Sequence, residues 1–208
     1  MDISLQNAGK KYGKHWIFKD INVEIVKGDK IAILGANGSG KSTLLKCIAS
    51  HTSMSSGEVI WKNEISKLIP ETEIFNHYTL IAPALELIEE LTLKDFLKLH
   101  FSFKKKLGIS EIKEAVTIVQ LEKSYHKSIK YFSSGMKQRI KLLMAFFTQN
   151  DVLLLDEPTS NLDAAGEEWY LELVDKTKHA NRLFIICSNQ EKEYTFCDQR
   201  LSISDYKS

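Results

Sequence analysis

The chain has 208 residues, 43% of them hydrophobic, which is enough to fill one sizeable core and too little for a large multidomain protein. Lys and Arg number 28 against 27 Asp and Glu, a formal charge of +1, so bulk charge gives no case for a nucleic-acid partner. The longest unbroken apolar stretch, Leu142 to Phe147, falls far below the roughly 20 residues that a membrane-spanning helix needs.

The N-terminal residues Met1 to Asn7 lack the basic region and apolar core of a signal peptide. Alternation through Ile21, Val23 and Ile25, ended by Lys27-Gly28-Asp29, predicts an antiparallel strand and a turn into the core strand Ile31 to Leu34. Residues 35 to 43 then read Gly-Ala-Asn-Gly-Ser-Gly-Lys-Ser-Thr, a complete G-x-x-x-x-G-K-[ST] loop ahead of the helical stretch Leu44 to Ala49. Gly35, Gly38 and Gly40 let successive backbone N–H groups curve toward one anion. Ala36, Asn37, Ser39 and Thr43 complete the loop, Lys41 adds a charge for the β- and γ-phosphates, and Ser42 offers a hydroxyl to Mg²⁺. A helix N-terminus behind the loop favours the same negative charge. The bland alternative is a chance glycine-rich turn; the strand before and the helix after weigh against it, and the loop predicts binding of a nucleoside triphosphate.

Ile60 and Trp61 continue the edge sheet. From Leu91 the pattern turns helical, with Thr92 able to cap toward Asp95 and Leu93, Phe96, Leu97 and His100 recurring on one side. Lys104, Lys105 and Lys106, near Lys94 and Lys98, read as a solvated helix face. Ser110 is expected to start another helix with Ile112, Ala115, Val116 and Val119 inside. Asp151 to Glu157 is an apolar run of strand length ending in two carboxylates. Ligands of open parallel sheets lie beyond the carboxyl ends of the strands, so Asp156 can hold Mg²⁺ beside Ser42 and Glu157 can polarise an attacking water. Without the phosphate loop, these two would be a solvated strand end. Asp163 to Lys178 reads as a helix with Trp169, Leu173 and Val174 in the core, and Leu183 to Cys187 as a buried strand. Cys47, Cys187 and Cys197 show no metal-ligand or redox spacing and read as reduced, small apolar residues, which suits a cytoplasm.

Between the phosphate loop and the paired carboxylates lies Phe132-Ser133-Ser134-Gly135-Met136, followed by Lys137-Gln138-Arg139 and an apolar helical stretch. With these pieces in this order the chain resembles the ABC-type ATPases, whose signature is usually written Leu-Ser-Gly-Gly-Gln. The resemblance covers nearly the whole chain. It implies an α/β fold: a P-loop, RecA-like core with an antiparallel β edge subdomain and an inserted α-helical subdomain. One domain would span 1–208, with 1–80 and 141–208 as the core and about 81–140 as the helical part and signature. It further implies that Tyr12 stacks on adenine, and that Asp163 belongs to the loop after the catalytic Glu157. Ser133, Ser134 and Gly135 would cover the γ-phosphate held by a second ABC ATPase subunit, in a head-to-tail, two-fold closure. Taken alone, Ser133 is an ordinary helix cap.

The implied cofactors are ATP and Mg²⁺, and the implied partners are a second ATPase subunit and separate integral membrane subunits, with the chain held peripherally at the cytoplasmic face. Three positions depart from the family pattern. Pro83, or Ala84 with a one-residue shift, stands where the family has a glutamine that helps ligate Mg²⁺ and senses the transporter. Asn189 stands where a histidine contacts the γ-phosphate, and an amide cannot carry a proton at neutral pH. Ser134 and Met136 give the Ser-Ser-Gly-Met form of some exporter ATPases, notably for polysaccharides. Two readings stay open: a transporter ATPase subunit, and a soluble ABC-type ATPase or slow ATP-gated switch.

Overall fold

The computed structural model describes residues 1–178 and 181–207, which form two compact units. The first comprises Met1–Leu80, Asn150–Glu157 and residues 181–207. Its edge sheet is antiparallel, ordered β2-β1-β4, from β1 (Asp2–Tyr12), β2 (His15–Ile25) and β4 (Ser56–Lys62). Alternation along β2 buries Phe18, Ile21 and Ile25 on one face, the half-buried pattern that antiparallel sheets favour.

The second sheet is ordered β5-β6-β7-β3-β8, from β3 (Lys30–Leu34), β5 (Tyr78–Ile81), β6 (Val152–Asp156), β7 (Leu183–Cys187) and β8 (Gln199–Ser202). Strand β3 pairs in parallel with β7 and β8, and β6 with β7, in a register that sets Leu154 and Ile31 against Ile185. Every residue of β6 and β7 is buried, which is why these strands read as continuous apolar runs rather than alternating ones. Helix α1 (Lys41–Ile48) packs Leu44, Leu45 and Ile48 into one cluster with Ile33, Trp61, Leu154 and Ile185. The indole of Trp61 donates to the Ile48 carbonyl at 2.9 Å, so the largest buried ring of the edge sheet has its one polar group satisfied.

The second unit comprises Ile81–Gln149 and Pro158–Lys178, built on α2 (Leu93–Phe103), α3 (Ile112–Ile118), α4 (Ser134–Phe147) and α5 (Ala164–Thr177). Thr92 caps α2 as its spacing predicts, its hydroxyl oxygen accepting from Asp95 N at 3.1 Å. By contacts α4 and α5 group with this unit, whereas the sequence assigned 141–208 to the core. Phe146 of α4 meets the Tyr170 ring of α5 edge-on at 6.2 Å.

Two local expectations change. Lys104, Lys105 and Lys106 do not form a helix face: α2 ends at Phe103 and the chain runs extended, with Gln149 N donating to the Lys105 carbonyl at 2.8 Å. Backbone pairing there overrides helical propensity. Helix α3 starts at Ile112 rather than Ser110, because the Ser110 N–H and hydroxyl both donate to the Glu114 carboxylate and hold Ser110 outside the helix.

Candidate active site

The phosphate loop joins β3 to α1. Gly40 is the N-cap of α1 with φ 110°, a left-handed conformation, and a Cβ there would lie 2.3 Å from Cγ2 of Ile17 on β2. Only glycine fits both the angle and the contact. No side chain caps α1 and its first turn holds no acidic residue, so its N–H groups remain available to an anion.

A cavity of about 210 Å³ lies over this loop, lined by Ile17, residues 37–43 and Glu157. A larger cavity, about 570 Å³, lies by the end of α1 and β4, but no cationic side chain lines it, so the smaller one is the phosphate-type site.

Lys41 is buried, with Nζ donating to the carbonyls of Gly35 at 2.7 Å and Ala36 at 3.3 Å and to Oδ1 of Asn189 at 2.9 Å. All three ammonium protons are therefore directed at the loop and at the turn after β7. That turn is set by Ser188, whose hydroxyl oxygen accepts from Gln190 N at 2.8 Å. Asn189 in turn donates from Nδ2 to Oδ1 of Asn37 in the phosphate loop. Asn189, read from sequence as the position beside the γ-phosphate, thus touches the loop at two of its residues.

Asp156 closes β6 and is 5% exposed. Burial raises its carboxyl above the usual carboxylate range, opposed by a hydrogen bond from Ser42; the neighbouring Glu157 raises it further and Lys41 lowers it. Its Oδ1 is buried without a hydrogen-bond partner. An acceptor oxygen left over beside a serine hydroxyl is the donor set a hard cation takes, so Ser42 and Asp156 fit Mg²⁺. Glu157 follows the strand with φ 46°, tied by its N–H to the Cys187 carbonyl at 2.9 Å. A non-glycine residue in this region costs about 1–2 kcal/mol, and strain of that kind clusters at functional sites.

The remaining sequence-predicted residues are not among those lining the loop cavity. Tyr12, at the end of β1, is 56% exposed, with the Lys10 ammonium 5.2 Å from its ring centre, and it does not line the loop cavity. In the second unit Ser133 caps α4, accepting from Met136 N at 3.2 Å, with Ser134 the first helical residue. Gly135 is packed so that a Cβ would sit 3.0 Å from the Asn161 carbonyl. Asp163 caps α5, accepting from Gly166 N at 2.8 Å. Neither Pro83 nor Ala84 offers a ligand side chain.

Asn37 reads from sequence as part of the phosphate loop but without its partner, and Gln138 and Lys141 do not read as functional at all. Asn37 carries the contact to Asn189, Gln138 is 2% exposed and donates to the Pro158 carbonyl at 2.6 Å, and Lys141 is buried against the backbone of Ala82 and Pro83. For the last two the signal was present: polar residues recurring inside an otherwise apolar helix face must find partners.

A loop of this form between a parallel strand and a helix, with two carboxylates at the end of the next strand but one, defines a P-loop nucleotide-binding α/β protein. The model of the ABC transporter family matches residues 18–160. A probable ABC transporter ATP-binding protein, PEB1C, of Campylobacter jejuni is 30% identical over 199 residues, covering 91% of this chain and 80% of that protein. The chain belongs to the ABC transporter family, as an ABC-type ATPase subunit. Its fold matches a putative ABC transporter ATP-binding protein from Pyrococcus furiosus with a TM-score of 0.84, at 22% identity and full coverage of both chains. It also matches an ATP-binding cassette solved as a dimer in a post-hydrolysis state with ADP and phosphate, with a TM-score of 0.81 at 23% identity, over 97% and 94% of the two chains. Among the described residues no helix is long and apolar enough to cross a membrane.

Proposed function

We propose that this chain hydrolyses ATP as one of two ATPase subunits that close head to tail and drive separate membrane subunits, to which it attaches peripherally at the cytoplasmic face. The observation that carries this reading is the shared cavity: Glu157 lines the space over the phosphate loop, where Lys41 and Asn189 are already in contact. The loop amides and Lys41 hold the β- and γ-phosphates. Glu157 orients a water for attack on the γ-phosphorus and takes its proton as the bond to the β-phosphate oxygen breaks, releasing ADP and phosphate. Ser42 and Asp156 would hold Mg²⁺, which when bound would offset charge on the phosphate oxygens. Asn189 supplies the γ-phosphate with a neutral donor in place of an ionisable ring, so turnover is slow. Tyr12 stacks on the adenine. The second subunit covers the γ-phosphate with Ser133, Ser134 and Gly135, and its Asp163 lies across the same interface. The dimer solved for a cassette of this fold supports the closure.

A second reading, a soluble ATPase or slow ATP-gated switch acting on a cytoplasmic partner, draws on Asn189 and on the absence of a ligand side chain at Pro83 and Ala84. Glu157→Gln tests the first: with ATP and Mg²⁺ it should run as a dimer in gel filtration, because the closed state opens only after hydrolysis. A mutant that stays monomeric at high concentration counts against closure. Co-purification with an integral membrane protein separates the two readings.

A further inference from the structure

Helix α4 carries two lysines one turn apart, Lys137 and Lys141, where the rest of its buried surface is apolar or amide. Residues at i and i+4 share a helix face. Lys141 is 8% exposed, and its Nζ donates to the Pro83 carbonyl at 3.0 Å and the Ala82 carbonyl at 3.4 Å. Lys137 pairs with the Glu89 carboxylate. The Glu89 carbonyl in turn accepts from the Ser128 hydroxyl at 2.8 Å and from Lys130 N at 2.9 Å. Residues 82–89 form neither helix nor strand, and Ala82 and Pro83 at one end and Glu89 at the other are held by one face of α4. A buried ammonium is costly unless its donors are met, and carbonyls are the acceptors a loop without regular pairing has left over.

We infer that Lys141 is a positioning residue that clasps the 82–89 loop to α4, so that the loop and the signature end of the helix at Ser133 move as one body. The stretch it holds begins where the family pattern has its transporter-sensing glutamine. In this chain the linkage runs through the lysines of α4, Lys141 to the backbone of Ala82 and Pro83 and Lys137 to the Glu89 carboxylate. This inference rests on the head-to-tail closure proposed above.

The test uses Lys141→Met, which keeps the stem and removes the charge, and Lys141→Arg, which restores a cation. Both are made in the full chain and again on the Glu157→Gln background. Hydrogen exchange reads the clasp without nucleotide: amides of 82–89 should exchange roughly tenfold faster in Lys141→Met than in the parent, and Lys141→Arg should recover most of the protection. Binding of a fluorescent ATP analogue by the monomer should stay within about twofold, since the phosphate loop is untouched. Dimer formation with ATP and Mg²⁺ on the Glu157→Gln background should weaken at least about fivefold with Met and recover with Arg. Unchanged exchange overturns the clasp, and faster exchange with unchanged dimerisation overturns the linkage. If the Glu157→Gln parent itself forms no dimer, closure fails and with it the linkage, while the exchange result still judges the clasp. Should Lys141→Met not fold, Glu89→Gln releases the other end of the loop by weakening the Lys137 pair, and the same two readouts apply to it.

Discussion

Oδ1 of Asn189 accepts a hydrogen bond from Lys41 Nζ at 2.9 Å, joining the turn after β7 to the phosphate loop across 148 positions of sequence. The amide's other end donates to Asn37, so its orientation is set by both partners. Asn189→Ala removes one of the three acceptors of Lys41 and the donor proposed for the γ-phosphate. Hydrogen bonds to charged groups contribute about 1.5–3 kcal/mol, so turnover should fall roughly ten- to 100-fold. Asn189→His should raise turnover, because an imidazolium places a full positive charge where the amide brings only a dipole. A steady-state ATPase assay of the three proteins checks this, and equal rates would remove Asn189 from the site.

Lys41 is the fixed positive charge of the phosphate loop. Its replacement by Ala should weaken ATP binding at least about 100-fold, since hydrogen bonds to charged groups contribute roughly 1.5–3 kcal/mol each and more than one is lost. Isothermal calorimetry measures the affinity. A thermal melt of the same sample separates the effect on binding from loss of the Gly35 and Ala36 carbonyl contacts, which also hold the loop. Unchanged affinity would sink the assignment of this loop.

The strands and caps were legible where one local rule decided them. Continuous apolar runs announced β6 and β7, and Thr92 and Ser133 announced the caps of α2 and α4. The phosphate loop was legible because its residue types are required by backbone geometry as well as by chemistry. What sequence could not show were pairings between distant segments: the Lys41–Asn189–Asn37 chain, the lysines of α4 against residues 82–89, and the extended course of Lys104 to Lys106. Each depends on where the fold brings a partner, and residue type alone does not encode that.

Gly57 is a structural glycine of β4. In β4 it sits at φ 63° opposite an irregularity in β1, and a Cβ there would lie 2.1 Å from the Gln6 carbonyl oxygen and 2.2 Å from that of Asn7. Both contacts are backbone and cannot swing aside. Gly57→Ala should destabilise by roughly 2–5 kcal/mol, combining about 1–2 for the left-handed conformation with 1–3 for the overlap. That corresponds to a melting temperature lower by roughly 5–15 °C for a chain of this size. A melt within about 1 °C of the parent would show that the β1–β4 irregularity relaxes without cost.

His100 makes acid stability partly a property of the second unit. Its Nε2 lies 2.8 Å from the Thr148 hydroxyl, and its pKa is pushed down from 6.5 to about 4, first by burial and then by Lys104. The folded protein therefore holds the neutral ring while the unfolded chain takes up a proton near pH 6.5. A depressed pKa contributes stability that is fully present above the unfolded value. As the pH falls from about 6.5 toward 4 the unfolded state binds the extra proton and that stability is lost. His100→Gln keeps a donor and an acceptor for Thr148 but has no proton to bind in this range. Urea midpoints at pH 7.5, 5.5 and 4 should thus fall more steeply in the wild type than in His100→Gln, with the gap between the two curves widening below pH 6.5. Parallel curves across that range would show that the ring charges in the folded state as readily as in the unfolded one.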